Sequence, residues 1–460
     1  MATPPVTSNV TDPEGPSREQ LDKRAAYRRA VEAVIWGIPA VNYDRMLQSF
    51  VAAGGGANQI AYWSRLLDSE NQTLTPNPDT VYINPFFDTR DGPMVLEIPP
   101  AGDGSITGSI DDCWQNALED AGPVGADKGA GGKYLILPPD HQGDLPDGYI
   151  PVQSDTLQGY AILRSNVKSG SDADVAAAVA YGRQIRLYPL SAAGDPPETR
   201  YVDLSGTLYD ATIQYDRRFF QSLARMVQAE PWLVRDKVMI DPLRSIGIGK
   251  GQAFAPDEAT QILFDAAAAE AAAYLDAHYE DVFDPPFYPG CHWALPAVPE
   301  VVEGMPNFFA DPNSYPIDGR GVTYSMAYFS AKNLGAGQFY LMTTRDSEGS
   351  RLDGAATHRL RVPADAPVRL YWSATAYDRE THALIRDVYR ASRASNSPGI
   401  EVNPDGSVEL WFAPEPPGGK EANWIPTRAD RGFEVLFRVY GPEKPFFEKQ
   451  WVLPDIEKVA

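Results

Sequence analysis

Residues 75–99, TPNPDTVYINPFFDTRDGPMVLEIP, set the reading of the whole chain. Pro76, Asn77, Pro78 and Asp79 favour a tight turn, because proline fixes φ and short Asn and Asp side chains bond nearby backbone. Two apolar runs follow, residues 81–87 and 94–98, parted by the Asp-Gly-Pro of 91–93. The unit reads as turn, strand, turn, strand. The turn either locks the start of the strand or aims Asn77 and Asp79 into a cleft.

Outward from this stretch the pattern persists. Residues 105–110, 133–137, 149–153 and 159–163 are further short strand candidates, a spacing that suggests an antiparallel sandwich or barrel. Upstream, residues 1–16 are polar and proline-rich and read as a disordered tail. Ser17 and Gln20 have capping-box spacing ahead of a helix that Pro39 is expected to end or kink. A second helical piece should run from about Val41 to the glycines at 54–56. Downstream, Ser171 and Asp172 cap a helix expected to reach about Leu187. Helices are expected over 215–229 and 256–279, the second rich in alanine and suited to close packing. Beyond a Pro/aromatic linker, alternation returns at 324–329, 338–343, 358–363, 368–377, 408–412 and 434–440.

Specific motifs give the chain a family resemblance. TPNPDTVY followed by DGPMVLEIP resembles domain-of-unknown-function family 1254. YWSATAYDRETHALI (371–385), NPDGSVELWFAP (403–414), GKEANWIP (419–426) and FRVYGPEKPFFEKQWVLPDIEKV (437–459) resemble family 1214. The resemblance implies jelly-roll-like β domains at both ends with an all-helical part between. The expected fold is therefore α+β, with two antiparallel β-sandwich domains joined by a helical segment. The divisions are a tail at 1–16, a first β domain with its helices at 17–205, helices at 206–285, a linker at 286–319 and a second β domain at 320–460.

Composition narrows the function. A length of 460 residues predicts two or three domains. A net charge of −22 argues against nucleic acid and anionic membrane surfaces, which select basic patches. The two cysteines, Cys113 and Cys291, form no disulfide framework, and the N-terminus lacks a signal-like apolar core. No run of about 18 apolar residues exists. A cytoplasmic protein is the expectation, with its oligomeric state left open.

Chemistry is sought in motifs. The five histidines are scattered, without paired metal-ligand spacing, so neither metal nor nucleotide cofactor is expected. Cys291 and His292, near His278, Glu280 and Asp281, read as a helix end and linker. The Gly-Ser-Ile-Thr-Gly of 104–108 lacks the central serine of a nucleophile elbow. The Gly-Ile-Gly-Lys-Gly of 247–251 lacks Walker spacing. The glycine-rich loop 125–133, with Asp127 and Lys128, reads as a turn or as a polar-ligand site. The run 111–116 sets Asp112 and Trp114 just past a strand, and a carboxylate beside an indole can act as a general acid. Asn423 and Trp424 lie on a C-terminal loop. Arg164 and Arg438 read as buried ion-pair partners for Asp79 or Asp112, or as a clamp for a substrate carboxylate.

The first functional reading is an enzyme acting on a small molecule by carboxylate acid/base chemistry, of hydrolase or lyase type. Asp112 is the acid/base, Asp79 its partner, Asn77 an orienter, and Tyr82 and Trp114 the walls. The alternative is a non-catalytic ligand- or carbohydrate-binding protein. A structural subunit is the third reading.

Overall fold

The structure, a computed structural model, describes residues 15–327, 331–333, 335 and 337–459. Most of the expected tail thus lies outside the described residues. Ser17 opens α1 (Arg18–Ala52) through the expected reciprocal cap with Gln20. The helix passes through Pro39 without ending, which corrects the expected break. Proline removes one backbone bond and crowds the preceding turn. Every residue from Ala33 to Asp44 is buried, so packing on all sides outweighs that loss.

The first β part comprises β1 (Gln59–Tyr62), β2 (Asn71–Gln72), β3 (Val81–Asp88), β4 (Met94–Ile98), β5 (Ile106–Asp112), β6 (Ala117–Ala121), β7 (Gly132–Leu137), β8 (Ile150–Gln153) and β9 (Gln158–Ser165). It continues through α2 (Asp172–Gly182), β10 (Arg186–Pro189), β11 (Tyr201–Asp203) and β12 (Tyr209–Asp210). A six-stranded sheet has the order β11-β1-β3-β9-β5-β6, and a four-stranded sheet the order β10-β4-β7-β8. Ile83 and Leu163 from the first share a core with Leu96 and Ile136 from the second. The helix expected to reach Leu187 stops at Gly182, and Leu187 pairs with Leu96 across β10 and β4. Pairing is mostly antiparallel, but β7·β8 and β1·β11 are parallel, correcting the purely antiparallel expectation. Parallel neighbours need a connection of about a dozen residues or more, and residues 138–149 supply one between β7 and β8.

The middle holds α3 (Arg217–Ala229), α4 (Ile240–Ser245), α5 (Glu258–Tyr279), α6 (Pro299–Gly304) and α7 (Ile317–Met326). The N-terminal α1 packs against α3, α5 and α7, so it joins this helical cluster. Phe220 of α3 stacks on Phe264 of α5 at 4.0 Å, and a buried side chain of this size contributes roughly 2 kcal/mol. The expected strand at 324–329 is corrected: residues 324–326 end α7, and 328–330 lie outside the described residues. Gly321 permits the close packing of this helix. A Cβ there would meet the Ile35 carbonyl oxygen at 2.9 Å and Leu275 Cδ2 at 3.1 Å, so glycine lets α7 lie directly on α1 and α5. Arg320 therefore sits in a helix, and the second β part starts at β13.

That part comprises β13 (Gln338–Thr343), β14 (Thr357–Val362), β15 (Val368–Asp378), β16 (Ser392–Ala394), β17 (Val408–Ala413), β18 (Trp424–Pro426), β19 (Phe433–Pro442), α8 (Lys444–Phe447) and β20 (Glu457–Val459). Its sheets have the orders β13-β19-β15-β16 and β18-β17-β14-β20. Period-two alternation divides β19: Val435, Phe437 and Val439 enter the core shared with Leu360 and Phe412 of the other sheet. Leu436 packs instead with the helices, alongside Tyr340 and Tyr377. Glu434, Arg438 and Tyr440 fall on that same second face, which is buried too. The whole is a mixed helix and sheet fold with several open sheets and no closed barrel among the described residues. No described helix is long and apolar enough to cross a membrane.

Candidate functional site

A chamber forms where the β3/β9 face meets the β13/β19 face. Tyr82 lies opposite Arg164 in one ladder, and Tyr340 opposite Arg438 in the other. Directly opposite residues project from the same face, so each register brings a tyrosine to an arginine. These four side chains line one cavity with Trp63, Leu74 and Asn84. The centres of water-sized spheres have ≈ 40 Å³ in which to move there. That is room for roughly three waters.

Neither arginine of this chamber forms a close ion pair among the described residues. Arg164 is 9% exposed; its Nε donates to the Tyr82 hydroxyl at 3.4 Å, and its guanidinium lies 5.3 Å from the Tyr82 ring centre. Arg438 is 2% exposed; its Nη1 donates to Thr375 Oγ1 at 3.0 Å and its Nη2 to the Thr75 carbonyl at 2.8 Å. Neither has a carboxylate oxygen within 4.0 Å among the described residues. Glu434, on the Arg438 face, is engaged by His382 Nδ1 at 2.7 Å and by the Tyr279 hydroxyl at 2.6 Å. Arginine stays charged at any ordinary pH, so two cations are buried at the heart of an acidic chain. Asn84 adds an unused polar group, since its Oδ1 is buried without a hydrogen-bond partner.

The 75–79 turn fixes one wall. Thr75 sits at φ 37°, a region that β-branched residues avoid. It is held there by the His382 carbonyl, which accepts from its N–H at 2.6 Å, and by Arg438. Asn77 Oδ1 accepts from the Asp79 N–H at 3.0 Å, closing the expected local turn. The Asn77 N–H donates to the Tyr82 hydroxyl at 3.0 Å, and its amide donates to the Tyr440 hydroxyl.

Residues 57–189 match the family model described as a protein of unknown function (DUF1254), and residues 337–444 match the one described as a protein of unknown function (DUF1214). The chain thus carries a DUF1254 segment followed by a DUF1214 segment. The VPA0106 protein from Vibrio parahaemolyticus has a similar structure, with a TM-score of 0.59 at 18% identity, over 95% of this chain and 100% of that one. An uncharacterized protein from Burkholderia cenocepacia aligns with a TM-score of 0.43 at 12% identity, over 96% of each chain. No curated protein matches the chain.

Both DUF segments contribute to the chamber: Tyr82, Asn84 and Arg164 come from DUF1254, Tyr340 and Arg438 from DUF1214. Of the residues singled out in the sequence, the fold gathers Asn77, Asp79, Tyr82, Arg164 and Arg438 in or beside it. Burial raises the Asp79 carboxyl above its ordinary value, offset by a hydrogen bond from Ser392 and by the Arg438 charge.

Asp112 is elsewhere. Val81 faces Ser165 and Ser165 faces Ile106, whereas Phe87 faces Gly159 and Gly159 faces Asp112. The two carboxylates thus sit at opposite ends of the sheet, roughly 20 Å apart at ~3.3 Å per residue. The expected Asp79–Asp112 pair does not form. Asp112 instead ties its own turn: Oδ1 accepts from the Trp114 N–H at 2.8 Å and the Asn116 N–H at 2.9 Å, and Oδ2 from the Asn116 amide at 2.7 Å. Burial raises its carboxyl, against these donors. Trp114 packs on Trp36 at 4.7 Å and leaves the chamber without an indole from that run.

The other assignments also resolve as local structure. Asp127 Oδ1 accepts from the Gly122 N–H at 2.6 Å and the Tyr134 hydroxyl at 3.0 Å, which folds the glycine-rich loop, and Lys128 is exposed. Asn423 bonds the Glu401 N–H at 2.9 Å and the Glu409 carbonyl at 3.0 Å, while the Trp424 indole donates to the Ala413 carbonyl at 2.8 Å. Sequence reasoning missed Asn84 and Tyr340 of the lining, and Thr375 and Tyr440 beside it. Thr375 carried a signal in the polar residues at every second position of β15, and Tyr440 in the polar Glu434 and Arg438 on its face of β19; Asn84 and Tyr340 lie on β3 and β13, outside that pattern.

Asp112→Asn is accordingly expected to destabilise the protein by about 1–3 kcal/mol in urea denaturation, because asparagine supplies one acceptor oxygen where three donors converge. An unchanged midpoint would refute the turn-tying role.

Proposed function

We propose that the chain is a small-molecule-binding protein that holds an anionic ligand between its DUF1254 and DUF1214 parts. The observation that carries this reading is the Arg164 guanidinium, buried beside an open chamber with a single long bond to Tyr82. An uncompensated buried charge is costly, and a ligand carboxylate would relieve it through charge-assisted bonds. The separation of Asp79 from Asp112 removes the support for carboxylate acid/base catalysis, so the non-catalytic alternative takes precedence. The two β parts as jelly-roll-like sandwiches and a cytoplasmic setting belong to the same proposal; the shared cores of paired sheets support the first, and the unpaired Cys113 and Cys291 the second.

Thermal unfolding of the full chain against small organic anions and neutral sugars tests this. A ligand at 100 times its Kd stabilises by about 2.7 kcal/mol. Anions are expected to raise the melting temperature and sugars to leave it unchanged; stabilisation by sugars alone would overturn the reading.

A further inference from the structure

We infer that the chamber takes a short-chain 2-hydroxy monocarboxylate, with its carboxylate on Arg164 and its hydroxyl on Asn84. This rests on the anion-binding reading above and names its ligand.

The argument begins with donors. Arg438 gives its Nη1 to Thr375 and its Nη2 to Thr75 and Tyr377, all of which belong to the protein. Arg164 gives only its Nε to Tyr82. The two Nη groups of Arg164 therefore offer the chamber a guanidinium edge without a protein partner, which matches a single carboxylate bidentately.

The second point is Asn84. Strand geometry places it on the Tyr82 face, two residues along β3, and so diagonal to Arg164 at roughly 7–8 Å between Cα atoms. It is 9% exposed and its Oδ1 has no partner. An amide both donates and accepts, and a hydroxyl is its natural counterpart because it does the same. The hydroxyl of a 2-hydroxy acid stands next to the carboxylate, as the two protein groups stand next to each other.

Size and lining supply the rest. Space for roughly three waters fits an acid of about three or four carbons. Trp63, Leu74, Ile162 and Leu436 line the remaining wall, so the ligand carbon beyond the hydroxyl meets an apolar surface. Inorganic phosphate would leave that wall without a partner.

Isothermal titration of the full chain with lactate, 2-hydroxybutyrate, propionate, butyrate, lactamide and phosphate tests the inference. The 2-hydroxy acids are expected to bind about 10-fold tighter than their deoxy counterparts, the worth of one buried hydrogen bond. Lactamide, which keeps the hydroxyl and lacks the charge, is expected to bind about 100-fold more weakly than lactate. Asn84→Leu should abolish the preference for the hydroxyl and leave propionate affinity in place. Equal binding of lactate and propionate, a hydroxyl preference that survives Asn84→Leu, or phosphate binding as tight as lactate would each overturn the inference, while anion binding that still needs Arg164 leaves the broader reading standing. Anion binding unchanged in Arg164→Met would sink both.

Discussion

Exchanging Arg164 for methionine is expected to stabilise the ligand-free protein by about 1–3 kcal/mol in urea denaturation, and to remove its thermal response to organic anions. The guanidinium is buried with a single 3.4 Å bond and no carboxylate within 4.0 Å among the described residues, so its desolvation is largely uncompensated. Methionine fills much of the same volume without that cost. Arg438→Met should behave in the opposite way. Its guanidinium ties the Thr75 carbonyl, Thr375 and Tyr377 together and anchors a turn held at positive φ. Removing it orphans buried acceptors, and a loss of about 3 kcal/mol or more is expected. The contrast separates a ligand-facing arginine from a structural one. If both variants lose stability equally, Arg164 has a protein partner in solution and the chamber is not an anion site.

The second large effect is on pH dependence. Glu230 follows α3 and is 4% exposed. Its Oε2 accepts from the Leu157 N–H at 2.6 Å and its Oε1 from the Gln158 N–H at 3.1 Å. Burial pushes its carboxyl up to about 7 from an ordinary 4.5, against those two backbone donors. The native state therefore keeps a proton that the unfolded chain releases between these values. Stability from this group is fully present below about pH 4.5, declines as pH rises towards 7, and is level above that. A raised value of this size corresponds to about 3 kcal/mol. Glu230→Gln keeps the shape and cannot titrate. The stability difference between the native protein and this variant should shift by about 3 kcal/mol between pH 5 and pH 8, in favour of the variant at high pH. A difference that stays constant across that range would refute a neutral buried Glu230.

The legible part of this protein was local. The capping box at Ser17, the glycine stop after α1, the strands of 75–99 and the alternation of β13, β15 and β19 follow from capping, φ preference and side-chain period, which neighbouring residues set among themselves. Chain-length contacts were not legible in the same way. Pro39 stays helical because α1 is enclosed, and residues 324–326 belong to a helix packed on α1 and α5; in both cases the packing partners lie far along the chain.

The site divides along the same line. The sequence by itself marked Asn77, Asp79, Tyr82, Arg164 and Arg438 as polar residues on turns and strands, and its acidic balance argued against nucleic acid. It also proposed Asp112 as the partner of Asp79, and only strand register shows that the β5 end and the β3 start lie at opposite ends of one sheet. Alternation told which residues of β19 share a face. It could not tell that the second face would be buried against another part of the chain, because burial of a polar face depends on what docks there. That docking makes Arg438 and Tyr340 part of the wall of a chamber, and leaves Arg164 a buried charge without a carboxylate within 4.0 Å among the described residues.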